Sequence, residues 1–416
     1  MDKELIREMN SCRSCGGKGL ATFLDFGNQP LANSLLESPE QAEGFFPLEM
    51  VFCHQCFMVQ LRHTADPGEL FSHYVWVTGT SSTAKNQAYR FRDAALERLE
   101  GSTLKSYVLE IASNDGTYLR PFKEKGFNVF GVDPAANIVK IANVDGISTQ
   151  CGFFSETLAQ QIVEKKGRPD LVIARNVLAH VAHPHDFVKG IAHLVGETSM
   201  AAIEFHYGAK ILDGLQYDSI YHEHLCYITT QTIINLLALN GLTVVDIDEG
   251  PISGGALIVY VRKEGTKPNA EVARYLEREK VGRVNDFETW CRFGKDVMRH
   301  RDALLGLLDE ELKAGRRVVG YGASARSSTM LNFCGIASDR LPVIADQNPL
   351  KHNKFTAGTH IPIMPPKEVI NGKPDTILIL SWNFLNEIKR DLVEKFGFTG
   401  RIIVPLPSAP VIESIK

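Results

Sequence analysis

The central part of the chain alternates short apolar runs with helix-length segments of mixed polarity. Each apolar run has the length of a strand and ends in polar or glycine turn residues. The runs lie in the segments SYVLEIASNDGTYL at 106–119, VFGVDP at 129–134, DLVIARNVLAHV at 170–181 and SMAAIEFH at 199–206. Because strands that alternate with helices form parallel sheets, the pattern predicts an α/β fold with an open sheet.

The same pattern returns in the last third of the chain. RRVVGYGASARSSTML at 316–331 predicts a strand, a glycine turn and a helix, and LPVIADQNPLKHN and DTILILSW supply further strands. These segments predict a second doubly wound sheet. TVVDIDEG and GGALIVYVRKEG are expected to form the antiparallel end of the first sheet, and the charged stretch 269–315 is expected to be a helical connection.

The first 60 residues or so differ from the rest, since they contain many turn residues and few periodic runs. They predict a small, loop-rich module. We therefore expect three parts: a small N-terminal module at 1–72, a central Rossmann-like domain at 73–265 and a C-terminal Rossmann-like domain at 266–416. What each part binds depends on the motifs described next.

Composition narrows the class of protein. The 416 residues include 44% hydrophobic and 23% charged residues, which is ordinary for a soluble globular protein. The net charge of -4 leaves no basic surplus, so nucleic acid is not an expected partner. The charged N-terminus and the absence of a long apolar run predict a cytoplasmic protein with no membrane partner. The sequence does not indicate an oligomeric state.

Four of the eight cysteines are arranged as two Cys-x-x-Cys pairs: Cys12 with Cys15 and Cys53 with Cys56. Four thiolates complete a tetrahedron around zinc, and a closed site of this kind is structural. The alternative is two unrelated buried pairs. Four scattered cysteines are expected to be packing residues: Cys151, Cys226, Cys291 and Cys334.

The turn after the first central strand resembles motif I of Rossmann-like methyltransferases, which holds the methionine part of S-adenosylmethionine. Asp133 ends the next strand, where a carboxylate can accept hydrogen bonds from ribose hydroxyls. Asp133 as a solvated strand-end residue is the alternative, and a nicotinamide-binding domain is the rival for the fold, although G-x-G-x-x-G is absent. The candidate cofactor residues are Glu110, Ala112, Asn114, Asp115, Gly116, Asp133 and Asn176.

SIYHEHLCYIT brings together Tyr221, Glu223 and His224 with a further histidine, and His180 follows the third central strand. General acid and base chemistry is the favoured interpretation, because imidazole titrates near neutral pH and a carboxylate can fix its tautomer. A metal site has no obvious third ligand here. Polar residues with satisfied hydrogen bonds at strand ends are the other alternative.

These motifs occur in the order found in the nucleotide-sugar C-methyltransferases of deoxysugar biosynthesis, which the chain resembles over nearly its whole length. The resemblance implies methylation alpha to a ketone, commonly at carbon 3 of a 4-keto-6-deoxyhexose linked to a nucleoside diphosphate. It implies S-adenosylmethionine and structural zinc as cofactors. The three parts are then a zinc module at 1–72, a Rossmann-like methyltransferase domain at 73–265 and a Rossmann-like nucleotide-sugar-binding domain at 266–416. It also implies that His224 is the base, with Tyr221 and Glu223 close to it, and that His180 lies near the keto group.

The C-terminal motif departs from the family, which often has Lys-Gly where this chain has Arg326 and Ser327. Arg326 is a predicted substrate contact, because the guanidinium fork suits phosphate oxygens. Tyr321, in the same C-terminal motif, is a second predicted substrate contact. A solvated helix residue is the alternative for Arg326. Tyr74 and Trp76 are predicted substrate neighbours, with linker packing as the alternative. An NAD-dependent nucleotide-sugar oxidoreductase and a non-catalytic nucleotide-sugar-binding protein remain the alternatives for the function.

Overall fold

The computed structural model describes residues 6–71, 77–99, 106–250 and 254–415. The strands are β1 (Ile6–Glu8), β2 (Leu20–Pro30), β3 (Phe45–Cys53), β4 (Val59–Leu61), β5 (His63–Ala65), β6 (Tyr107–Ile111), β7 (Asn128–Asp133), β8 (Thr149–Cys151), β9 (Leu171–Arg175), β10 (Met200–His206), β11 (Cys226–Tyr227), β12 (Leu242–Gly250), β13 (Ala256–Lys263), β14 (Val318–Tyr321), β15 (Ile344–Ala345), β16 (Ile363–Met364), β17 (Thr376–Ile379), β18 (Arg401–Val404) and β19 (Val411–Ser414).

The helices are α1 (Pro67–Phe71), α2 (Ser82–Arg98), α3 (Arg120–Glu124), α4 (Ala136–Val144), α5 (Glu156–Lys166), α6 (Pro184–Leu194), α7 (Gly208–Asp213), α8 (Thr230–Ala238), α9 (Ala270–Val281), α10 (Phe287–Lys313), α11 (Ala325–Cys334), α12 (Pro366–Asn371) and α13 (Leu385–Glu394). No helix in the described ranges is both long enough and apolar enough to cross a membrane.

The central sheet has seven strands in the order β12-β13-β10-β9-β6-β7-β8. The five strands from β10 to β8 are parallel, and β13 runs antiparallel to both β10 and β12. Strands β9 and β10 are buried over nearly their whole length, as expected of parallel strands with helices on both faces. The α/β fold and the antiparallel end of this sheet are confirmed.

The C-terminal sheet has six strands in the order β16-β15-β14-β17-β18-β19, all parallel except β19. Its first strand is followed by a glycine turn and by α11, as the sequence predicts. The turn needs glycine, because Gly322 has φ +98° and a Cβ there would lie 2.1 Å from Ser381 Oγ.

The N-terminal module is more regular than the loop-rich module expected from the sequence. The 11 residues of β2 and the nine of β3 form an antiparallel ladder, which β4 and β11 extend to four strands. Bulges interrupt the ladder between β2 and β3, which explains why its alternation of apolar and polar residues is hard to recognise. Since β11 follows β10 in the chain, the central part of the chain completes the N-terminal sheet.

Helix α10 joins the three parts. Its buried positions recur at helical spacing from Trp290 to Leu308, and Gly294 packs where a Cβ would lie 2.7 Å from the main-chain oxygen of Phe23 in β2. The main hydrophobic cluster contains residues of all three sheets. The shared core therefore gives the N-terminal and C-terminal sheets defined positions against the central one.

Candidate active site

The four cysteines of the two Cys-x-x-Cys pairs form one cluster. Cys12 Sγ lies 3.5 Å from Cys56 Sγ and Cys15 Sγ lies 3.6 Å from Cys53 Sγ, and all four sulfurs are within 4.8 Å of one another. Zinc with bonds of about 2.3 Å to sulfur requires sulfur separations of about 3.8 Å in a tetrahedron. The cluster therefore fits a closed zinc site. Outside the cluster, Cys151 is exposed, so it is not the packing residue expected from the sequence.

The turn after β6 has an unusual backbone. Ala112 has φ +55°, Asn114 has φ +50° and Gly116 has φ +76°. Left-handed residues other than glycine are uncommon and concentrate at ligand sites. A Cβ on Gly116 would lie 2.7 Å from Ile147, so this turn approaches its neighbours closely. Asn176 directly follows β9, which lies beside β6, and it also has a positive φ of 50°.

Two carboxyl groups lie on the strands that meet at this turn. Asp133 accepts hydrogen bonds from the main-chain N–H groups of Asn114 and Ala135, each at 2.9 Å. Burial raises the pKa of Asp133 and raises that of Glu110 well above its usual value. Glu110 Oε2 is buried with no hydrogen-bond partner within the described residues. An unpaired buried oxygen beside a strained turn fits a site that receives a polar group of S-adenosylmethionine.

Asn114 and Asp115 use their side chains to hold the segment that precedes α2. Asn114 Oδ1 accepts from Thr78 N and Asp115 Oδ2 accepts from Gly79 N, both at 2.9 Å. Asp115 Oδ1 also accepts from the hydroxyl of Thr117. The structure thus brings all seven predicted cofactor residues to the carboxyl ends of β6, β7 and β9, and these two side chains also have a structural role.

The two predicted catalytic histidines lie side by side. His180 ends a short 3-10 turn after β9, and its ring centroid is 4.8 Å from that of His224. The main-chain N–H of Leu225 donates to Ala179 O at 2.7 Å, which fixes the two segments together. Tyr221 Oη lies 2.8 Å from His224 Nε2. Residues that are 44 positions apart in the sequence therefore form one group of side chains.

Hydrogen bonds define the tautomer of His224. Its Nδ1 lies 2.7 Å from the main-chain oxygen of Ser219, which can only accept, so Nδ1 carries the hydrogen. In the neutral ring Nε2 is then the acceptor, and the Tyr221 hydroxyl donates to it. Burial lowers the pKa of His224 well below its usual value, and the neighbouring His180 lowers it further. His224 is therefore a neutral imidazole whose electron pair on Nε2 accepts the hydrogen of the Tyr221 hydroxyl.

Burial also changes the other two predicted catalytic groups. It lowers the pKa of His180 to about 4, and His180 Nδ1 is buried without a hydrogen-bond partner in the described ranges. Burial raises the pKa of Glu223 to about 7, although Asn33 opposes this by donating to Glu223 Oε1 at 2.5 Å. Two neutral imidazoles and, on the residue before His224, a carboxyl with a pKa of about 7 are groups that suit proton transfer.

Sequence reasoning missed two residues of this group. Asn33 lies in the N-terminal module and is 190 positions from its partner Glu223. His206 ends β10 and its Nε2 donates to Gln216 Oε1 at 2.9 Å, and burial lowers the pKa of His206 to about 3. The position of His206 at the end of an identified strand was a usable signal. Nothing local in the sequence indicates the contact of Asn33.

The predicted substrate residues are placed differently. Arg326 lies in the first turn of α11. Its Nη2 donates to Asp218 Oδ1 and to Gln216 Oε1, both at 3.0 Å. Tyr321 is buried at the end of β14, and its hydroxyl accepts from Gln347 Nε2 at 3.0 Å. Of the two predicted substrate residues that the structure describes, Arg326 is therefore the one that reaches the histidine group. Tyr74 and Trp76 lie outside the described residues.

Three family models match successive parts of the chain. They describe a zinc binding domain at residues 12–71, a methyltransferase domain at 84–247 and a C-methyltransferase C-terminal domain at 251–407. The C-methyltransferase NovU of Streptomyces niveus is 31% identical over 416 residues, which cover 99% of both chains. The chain belongs to the C-methyltransferase family. It is an S-adenosylmethionine-dependent methyltransferase with a zinc-binding domain.

More distant relatives match this C-methyltransferase only in part. A ubiquinone biosynthesis O-methyltransferase of Bartonella quintana is 23% identical over 151 residues, which are 33% of this chain and 61% of that protein. The magnesium protoporphyrin IX methyltransferase of Synechocystis PCC 6803, solved with bound S-adenosylmethionine, is 16% identical with a TM-score of 0.33 and covers 42% of this chain and 79% of its own. A likeness this low carries no conclusion about this C-methyltransferase.

Proposed function

We propose that this C-methyltransferase methylates carbon 3, alpha to the 4-keto group, of a deoxysugar linked to a nucleoside diphosphate. The observation that carries the proposal is the group of His180, Tyr221, Glu223 and His224, in which His180 follows β9, the strand that pairs with β6. A carbon acceptor needs a base to remove its proton, and these side chains can supply one. The family name gives carbon as the methylated atom but does not give the compound. NovU, the full-length relative, is named as a C-methyltransferase.

The base in this proposal is His224, acting through Tyr221. The Tyr221 hydroxyl donates to Nε2, so its oxygen takes the proton from carbon 3 as its own hydrogen passes to Nε2. The electron pair of the broken carbon–hydrogen bond moves into the sugar as an enolate. Glu223, the residue before the base, completes the proposed set of proton-transfer groups, and its carboxylate is held by Asn33.

His180 is proposed to contact the keto oxygen. Its buried Nδ1 has no partner within the described residues, and with the ring hydrogen on this nitrogen His180 would donate to the enolate oxygen. A hydrogen bond to developing charge lowers the barrier. S-adenosylmethionine, when bound, supplies the methyl group as a sulfonium electrophile. Glu110, Asp133 and Asn176 would hold it, with the turn from Ala112 to Gly116 approaching its methionine part. Asp133 would bind the ribose hydroxyls, as predicted from the sequence.

The C-terminal sheet is proposed to bind the nucleotide part of the substrate. Its support is the tight Gly322 turn, followed by α11, whose first turn Ser324 caps by accepting from Ser327 N. Backbone N–H groups at such a turn suit a diphosphate. Tyr321 is the weaker of the two predicted substrate contacts here, because its side chain is buried and hydrogen-bonded to Gln347.

The three domains keep their predicted division, 1–72, 73–265 and 266–416, as part of the proposal. In the structure β13 pairs with β10, which is in keeping with a central domain that extends to about residue 265. The cytoplasmic location is likewise proposed and has the support of composition alone.

The test is incubation with methyl-labelled S-adenosylmethionine and a panel of nucleoside diphosphate keto sugars. The expected product gains one methyl on carbon 3, detected by mass and located by NMR. Product with an O-linked or N-linked methyl group would refute carbon methylation. Calorimetric titration with S-adenosylhomocysteine and with NAD tests the oxidoreductase alternative, which predicts tight binding of NAD alone.

A further inference from the structure

The segment 216–220, just before the Tyr221–His224 group, is held by the C-terminal part of the chain. Tyr217 Oη lies 3.2 Å from His300 Nδ1 of α10 and 3.5 Å from Cys334 Sγ of α11. Thr329 of α11 donates from its hydroxyl to Ile220 O at 2.7 Å. These contacts come from two helices that the sequence places about 80 to 120 positions later.

Asp218 lies at the centre of this segment and is fully buried. Its Oδ1 pairs with Arg326 Nη2 at 3.0 Å, and its Oδ2 accepts from Trp382 Nε1 at 2.7 Å. The guanidinium carbon of Arg326 lies 5.0 Å from the centre of the Trp382 ring. A buried carboxylate needs partners of this kind, because the removal of one partner leaves a buried charge that nothing compensates.

The same segment sets the orientation of His224. The main-chain oxygen that holds His224 Nδ1 belongs to Ser219, the residue directly after Asp218. Arg326 also donates to Gln216 Oε1, the atom that accepts from His206 Nε2. One guanidinium thus bonds directly to the hydrogen-bond partner of His206 and, through Asp218, holds the segment that contains the partner of His224.

We infer that Arg326, Asp218 and Trp382 are positioning residues for the methyl-transfer site: they fix the segment whose Ser219 carbonyl orients His224. The role of Arg326 is then to connect the C-terminal domain to the base, rather than to bind the diphosphate. The inference deepens the proposed function, since it assumes that His224 is the base. It gives the C-terminal domain a second task besides contact with the nucleotide.

The sharpest variant is Trp382→Phe, which removes the N–H donor to Asp218 and keeps an aromatic ring under Arg326. Trp290→Phe is the matched control, because Trp290 is a buried tryptophan that donates to the main-chain oxygen of Val284, away from the histidines. We expect kcat of Trp382→Phe to fall about tenfold, since a small displacement of a catalytic group is costly. The KM of Trp382→Phe for S-adenosylmethionine should stay within about twofold of the wild-type value. Both kcat and KM of the control Trp290→Phe should also stay within about twofold of wild type.

A milder variant guards against loss of folding. Thr329→Val removes only the hydroxyl that donates to Ile220 O, and Thr359→Val is its control, a buried threonine whose hydroxyl lies 2.8 Å from that of Thr356. Thr329→Val is expected to lower kcat less than Trp382→Phe and in the same direction. Wild-type kcat in both Trp382→Phe and Thr329→Val, with normal folding, overturns the inference.

The second readout does not need a substrate. Nitrogen-15 NMR of the histidines reports the tautomer of His224, identified by its loss in His224→Gln. We expect one Nδ1–H tautomer in the wild type and in Trp290→Phe, and a mixture in Trp382→Phe. An unchanged tautomer in Trp382→Phe overturns the positioning role. If no keto sugar is methylated, the proposed function fails while the tautomer result still decides this inference.

Discussion

The contact between Asn33 and Glu223 allows one prediction to be worked out in detail. Asn33 belongs to the N-terminal module, and its side-chain amide donates to Glu223 Oε1 at 2.5 Å. Glu223 is 3% exposed, so water screens this contact very little. The perturbation is Asn33→Leu, which keeps the size of the side chain and removes the donor. It leaves the proposed base, His224, unchanged.

The magnitude follows from the charge on the acceptor. A hydrogen bond to an ionised group contributes about 1.5–3 kcal/mol, and one pKa unit corresponds to about 1.4 kcal/mol. Because Asn33 stabilises the ionised carboxylate, its loss should raise the pKa of Glu223 by about one to two units. The starting value is about 7. At pH 7 the ionised fraction should therefore fall from about half to about one tenth or less.

The assay is the pH dependence of kcat for methyl transfer, measured from pH 6 to pH 9.5. If ionised Glu223 is required, the acid limb of the Asn33→Leu profile moves to higher pH by about one to two units, and activity recovers at the alkaline end. Asn28→Leu is the control, since Asn28 is an exposed residue of the same module. An unmoved acid limb in folded, zinc-loaded Asn33→Leu would falsify the assigned role of this contact.

Three further predictions test other parts of the site. His224→Ala should abolish methyl transfer and leave calorimetric binding of S-adenosylhomocysteine intact; full activity would exclude His224 as the base. Asp133→Ala should weaken that binding by about 100-fold or more, because two hydrogen bonds to a carboxylate are lost and each contributes about 1.5–3 kcal/mol, and wild-type affinity would refute the ribose contact. Zinc removal with a chelator, or Cys53→Ser, should lower kcat strongly and should change the affinity for the cofactor much less. The reason is that the N-terminal module holds Glu223 through Asn33 and holds His222 through the main chain of Phe46 and Pro47. Retained kcat in a zinc-free sample, verified by metal analysis, would contradict that coupling.

The candidate site was partly predictable because some of its features are local. The strand ends that carry Glu110, Asp133 and Asn176 are visible as apolar runs that stop at polar residues. The spacing of the two Cys-x-x-Cys pairs is typical of a tetrahedral zinc site. His180 and His224 stand out as imidazoles near strand ends, where parallel sheets bind ligands. Each of these signals depends on spacing within about 20 residues, which a single sequence displays directly.

The regularity of the N-terminal sheet was not predictable in the same way. Its bulges shift the alternation of buried and exposed positions in β2, and its fourth strand, β11, comes from 170 residues later in the chain. The cysteines Cys151 and Cys226 look alike in the sequence, yet the first is exposed at the end of β8 and the second is buried in β11. Burial depends on which elements pack together, and composition does not report that.

The sequence by itself determined the α/β class, the two parallel sheets, the zinc ligands and the types of residue available for proton transfer. Those properties follow from local hydrophobic period, turn chemistry and ligand spacing. Only the tertiary structure decided which groups act on one another. It gave His224 its tautomer through Ser219, directed Arg326 to Asp218 and brought Asn33 to Glu223. The physical reason is that hydrogen bonds and pKa shifts depend on distances of about 3 Å and on burial, and both arise only when distant segments pack together.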